Sequence, residues 1–197
     1  MPFIKEIVST INDHLKTNVL KTKQFQTGLY AGLAILSNKE IGANKFKTFP
    51  VMEVDGGKYE YVGPDDKYPI IIYHKSKNAT YTKLKEADNS SFGDDEDLKQ
   101  TIQMQMVLFG IRPRLGNITA EDLESTIIAN FPNSFVVNNK ETITTPVSSV
   151  LDKKTVFDNE FKNVDLFLRE DHIFISINYT IESQFQKGCF NICDVLI

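Results

Sequence analysis

Apolar positions along the chain fall into three kinds of pattern, and their order sketches a fold. Phe3, Ile7, Ile11 and Leu15 recur at spacings of four, with Ile4 and Val8 beside them. This is the stripe of an amphipathic helix. Pro2 suits the first helical position, where its missing N–H is no loss. An N-terminal helix is therefore expected over residues 1–17, with one face buried. From Asn18 to about Phe49 the pattern is mixed, and the apolar run Leu29–Leu36 has no period that decides between helix and strand.

From Phe49 onward the pattern is that of short extended segments. Val51–Val62 contains Asp55-Gly56, a dipeptide suited to a tight hairpin reversal, and Gly63-Pro64-Asp65-Asp66 makes another turn. Tyr68–His74 is rich in adjacent β-branched residues without alternation, which predicts a central strand covered on both faces. In Ile102–Phe109 the residues Ile102, Met104, Met106 and Leu108 alternate with more polar neighbours, predicting a strand with one core face and one wetter face. Between these two runs lies a hydrophilic excursion, read as an extended acidic loop over residues 77–100.

Thr119-Ala-Glu-Asp122 has the form of an N-cap followed by first-turn acids, and Leu123, Ile127 and Phe131 then repeat at spacing four. This predicts a second helix near 120–131. Phe135-Val-Val predicts a short strand, and Asn138–Lys154 is rich in Thr, Ser and Asn. Val164–Arg169 followed by Ile173–Ile181 predicts a late hairpin with Asp171-His172 at its tip, and 189–196 a final strand. The sum is an α+β fold with a predominantly antiparallel sheet, flanked by the N-terminal helix and the second helix, with a long loop or hairpin extension. No linker or repeat divides the chain, so one domain over 1–197 is expected.

Composition narrows the function classes. With 41% hydrophobic and 24% charged residues, the 197-residue chain can fill a substantial core. A net charge of -4 argues against a general binder of nucleic acid or anionic membrane, since such proteins need surplus Lys and Arg. Only the stretch 18–47 is locally basic, where Lys21, Lys23, Lys39, Lys45 and Lys47 face only Glu40. No run approaches the roughly 20 apolar residues of a membrane span, and the N-terminus lacks a signal-peptide pattern, so synthesis inside the cell without membrane attachment is the expectation.

The residues that carry chemistry elsewhere have bland explanations here. Cys189 and Cys193 would share one face of a strand, and zinc would require two more ligands from three scattered histidines, so they read as small buried hydrophobes. Asp94, Asp95, Glu96 and Asp97 lack the alternating spacing of a calcium loop and read as a solvated acidic surface, or as a functional electrostatic one. His14, His74 and His172 stand in no nucleophile motif. Glu121 and Asp122 are explained by the helix dipole. Arg112 and Arg114 either cover apolar surface with their stems or reach a carboxylate or phosphate on a neighbouring subunit. Gly110 and Gly116 do not make a phosphate-binding fingerprint. No metal, cofactor or catalytic residue is expected.

The sequence of helix, strand at Tyr68–His74, long extension, strand at Ile102–Phe109, helix at 120–131 and closing hairpin at 164–181 resembles the tail-terminator and neck-ring proteins of tailed bacteriophages. The resemblance covers most of the chain in outline and rests on architecture, without diagnostic residues. It implies a non-enzymatic, homo-oligomeric ring in the virion neck or tail, assembled in the bacterial cytoplasm with other neck or tail proteins. DNA would pass through such a ring without specific binding. Asp94–Asp97 would be the channel or subunit-contact loop, its charge repelling phosphate, and Arg112 and Arg114 inter-subunit contacts. The chain departs from the family outline by its basic stretch 18–47, the hairpin 51–62 and the Thr/Ser-rich segment. A second reading is a small protein-binding module, monomeric or dimeric, that offers a sheet edge to a partner strand. A third, a hydrolase or transferase, requires a pocket that gathers a histidine with two carboxylates.

Overall fold

The structure, a computed structural model, describes residues 2–54, 57–83, 97–138, 140–164 and 169–186. The apolar stripe forms helix α1 (Pro2–His14), extended by a wide π turn (Leu15–Val19) in which Leu20 N–H donates to the Leu15 carbonyl. Ile4, Ile7, Val8, Ile11 and Leu15 are all buried. At roughly 1.5–3 kcal/mol for each large apolar side chain, this face holds the helix to the sheet by on the order of 10 kcal/mol. A short turn of helix, α2 (Lys23–Gln26), leads into the first strand.

Eight strands follow among the described residues: β1 (Leu29–Gly42), β2 (Lys45–Val54), β3 (Lys58–Tyr61), β4 (Ile70–Lys83), β5 (Asp97–Ile111), β6 (Ser134–Val137), β7 (Lys140–Val150) and β8 (His172–Gln186). They make one sheet in the order β3-β2-β1-β4-β5-β8-β7-β6, in which only the β1–β4 pair is parallel. The unassigned run Leu29–Leu36 is thus strand, held between β4 and β2. β2 begins four residues before Phe49, and β3 pairs antiparallel with it as expected of a hairpin. The Asp55-Gly56 reversal itself lies outside the described residues.

Helices cover the middle of the sheet on both sides. On the first face, α1 and α3 (Ala120–Ala129) pack over Ile70, Ile72, Met104, Met106, Leu108, Ile175, Ile177 and Tyr179. On the second, α4 (Lys153–Glu160) brings Val156 and Phe157, with Phe161 after it, onto Ile71, Tyr73, Val107, Phe109 and Phe174. Rings meet there at 5.0 Å for Phe109–Phe174 and 4.8 Å for the stacked Phe157–Phe161. The doubly covered strand expected from Tyr68–His74 is the start of β4. Both α3 and α4 have a side-chain cap, Thr119 Oγ1 accepting from Asp122 N–H and Asp152 Oδ1 from Thr155 N–H.

The strands depart from the expected pattern on the wetter face of β5 and in the β4–β5 connection, and extend it elsewhere. β5 is wet on one face only around Gln103, because α4 buries Val107 and Phe109 on that same face. The Thr/Ser-rich segment is β7 followed by the cap of α4. The strand at Ile173–Ile181 belongs to β8, whose neighbours are β5 along its length and β7 over Ser176–Ser183. Its expected hairpin partner falls, at 165–168, outside the described residues. The connection between the two long strands is shorter than 77–100, since β4 runs to Lys83 and β5 starts at Asp97. Asp94, Asp95 and Glu96, the Asp97 side chain, Cys189, Cys193 and the expected last strand lie outside what is described.

Candidate functional site

Among the described residues, buried polar side chains are hydrogen-bonded except at two atoms on adjacent residues, Asp171 Oδ1 and His172 Nδ1. His74, fully buried on the first face of β4, sits between α1 and β8. Its Nε2–H donates to Asn12 Oδ1 at 2.9 Å, and its Nδ1 accepts from the Tyr179 hydroxyl at 2.9 Å. Asn12 Nδ2 in turn donates to the Ala31 carbonyl at 2.9 Å. The line Ala31–Asn12–His74–Tyr179 links β1, α1, β4 and β8, and it requires hydrogen on Nε2 because the Asn12 oxygen can only accept. Burial pushes the His74 pKa down to about 3 and raises that of Tyr179.

On the opposite face, Glu160 at the end of α4 is fully buried. It accepts from the Tyr73 hydroxyl at 3.1 Å and from the Lys75 ammonium. Burial, with the adjacent Glu160 carboxylate, lifts the Tyr73 pKa well above its usual value. Both clusters are closed inside the protein, so they act as fastenings between layers.

His14 has both ring nitrogens engaged, whereas His172 has only Nε2 hydrogen-bonded. His14 donates from Nε2 to the Asn130 carbonyl and accepts at Nδ1 from Asn18, both at 3.1 Å. It borders a cavity of about 400 Å³ between Thr10, Asn18 and the Asn130–Phe135 segment. Neither ring nitrogen is left to serve as a base there. His172 is the first residue of β8 and is buried, its ring edge-on to Phe109 at 5.2 Å, with Arg169 Nε donating to its Nε2 at 3.2 Å. Burial and the Arg169 charge lower its pKa. Among the described residues no three His, Cys, Asp or Glu side chains gather as a metal site.

Arg112 and Arg114 lie in a 3-10 turn (Arg112–Leu115) that ends at Gly116 with φ +81. Gly110 precedes it because a Cβ there would lie 2.7 Å from Leu115 Cδ1. These glycines serve the turn. Arg114 donates to the Asp66 and Lys67 carbonyls, so it fastens this turn to the 64–67 turn. Arg169 joins the same end through Asp66 and Asp171. Arg112 is exposed and its guanidinium has no partner among the described residues. Glu121 and Asp122 occupy the first turn of α3, where Asp122 Oδ2 accepts from Thr119 Oγ1 at 2.8 Å.

What the sequence did not signal is the extent of exposed strand. β1 and β2 run on as a two-stranded arm from about Ile35 to Phe49, and β4 from Ser76 to Thr82 is exposed along with its neighbour β5 at Gln103. Ile35, Leu36, Ile41 and Phe46 are 42–52% exposed on the first arm. The chain matches no known family model and no curated protein.

Proposed function

We propose that this chain is a structural subunit that assembles into a closed ring, of the tail-completion or head-tail connector kind whose outline it resembles. The observation that carries this reading is the pair of strand arms. A rigid centre, covered by helices on both faces, supports two extensions whose outer halves bury little against the rest of their own chain. Exposed apolar side chains held on regular strands favour contact with another molecule. A ring offers such contacts to every copy.

On this reading the histidines and the Glu160 cluster rigidify the subunit and carry no reaction. The acidic residues Asp94, Asp95, Glu96 and Asp97, which join the β4–β5 pair, would line the channel and keep DNA phosphate from adhering. Arg112, exposed and without a side-chain partner among the described residues, is the better candidate of the two arginines for a carboxylate on a neck or tail partner. The alternative, strand addition by a small binding module, would use the outer edges of β2 and β7 that the four-residue strands β3 and β6 do not pair.

Negative-stain imaging of the purified chain tests the proposal. Closed rings with a central opening are expected, and replacing Asp94–Asp97 by Asn and Gln should leave the rings intact while causing them to retain DNA. Particles that remain single subunits at high concentration, alone and with neck or tail components, would refute it.

A further inference from the structure

Ten large apolar side chains are exposed among the described residues, and nine of them sit at the two flanks of the sheet. Six are on β1–β3 and three, Val136, Ile143 and Val147, are on β6–β7. The strand order places these groups at opposite ends. A two-fold contact of one flank with itself would leave the other flank bare. Head-to-tail contact covers both in every copy, and it closes into a ring when the rotation allows.

The charges agree with that arrangement. Lys39 and Lys47 are directly opposite each other on the β1–β2 arm, and Lys45 follows on the same face by the two-residue alternation of a strand. Ile35 shares that face, while Glu40, paired with Phe46, lies on the other. None of the three lysines has a carboxylate partner among the described residues, and facing like charges weaken a strand pair. At the far flank, Val136 is opposite Glu141, and Ile143 is opposite Glu182, all on one face. Glu141 is exposed there and accepts a hydrogen bond from Ser134 at 3.3 Å, and Glu182 holds Lys99 at 2.8 Å.

We infer that the lysine-bearing face of the β1–β2 arm of one copy packs on the Val136–Glu141–Ile143 face of the next. The inference rests on the ring reading and names the contact that builds the ring. Apolar Ile35 would meet Val136 and Ile143, and the lysines would meet the glutamates.

A charge-swap experiment tests it by sedimentation of the full chain. Lys45→Glu/Lys47→Glu alone and Glu141→Lys alone should each raise the concentration needed for assembly by about tenfold or more. Mixed in equal amounts, the two variants should assemble again, because a reversed arm then meets a reversed flank. If circular dichroism reports an unfolded variant, Ile35→Thr and Val136→Thr replace the reversals, and each alone should weaken assembly. A wild type that forms rings while the Glu141→Lys and Val136→Thr variants do so equally well would overturn this contact and spare the ring. A wild type that stays monomeric overturns both.

Discussion

Buried ionisable residues set how the subunit responds to acid. His74 keeps a neutral ring in the fold, with its pKa pushed down to about 3 from the usual 6.5. Below pH 6.5 the unfolded chain binds a proton that the folded chain refuses. The stability contributed by neutral His74 is therefore complete above pH 6.5 and is lost progressively as pH falls towards 3, by up to about 1.4 kcal/mol per unit. Urea unfolding across this range should fall on that slope. His74→Leu should lower stability at pH 8 by roughly 1–3 kcal/mol, because Asn12 and Tyr179 lose their partner, and should flatten the acid limb. The Glu160 cluster makes a different prediction. Glu160→Leu strands the Lys75 charge and should cost about 3 kcal/mol, whereas Glu160→Leu with Lys75→Met should cost less than the single change, measured by chemical denaturation.

Elements whose burial is written in aliphatic residues were legible in the sequence. The α1 stripe, the β-branched start of β4 and the capped α3 all appear where the spacing places them. β7 was not legible because its inward side chains are hydroxyls: Thr144 donates to the Pro132 carbonyl and Ser149 to Glu124 Oε1. Hydropathy registers no alternation in such a strand. α4 was hidden because its buried face includes Glu160, whose partners Tyr73 and Lys75 are 87 and 85 residues away. Separation also hides the line through His74, whose partners stand 62 and 105 residues away. The β1–β2 arm was left unassigned, and the outer β4–β5 strands were placed in a loop or hairpin extension, because strands exposed on both faces have no single apolar side to mark them. One prediction belongs to these elements. Replacing Lys39–Lys47 by Asn-Gly keeps the Thr48 Oγ1–Asn38 hydrogen bond of 2.7 Å and the Thr48–Lys162 bridge. The shortened chain should keep its thermal midpoint within a few degrees and lose assembly, as read by calorimetry and sedimentation.

At the scale of the whole molecule, a centre covered by helices on both faces carries exposed flanks. Polar clusters on both sides of β4 tie helices to the sheet, so the arms are carried in fixed directions from the covered core. Contacts between the flanks of successive copies then depend on charge at an exposed rim. Assembly should weaken as salt rises from about 0.1 to 1 M, where screening shortens from about 10 to 3 Å, while the folded subunit persists. The most direct test of the central claim is the mass of the purified particle by light scattering at low salt. A single species with an integral multiple of the 22.4 kDa subunit mass, and a ring outline in the same fraction, is predicted. A particle of one subunit mass at every concentration, with or without neck and tail components, would contradict the account.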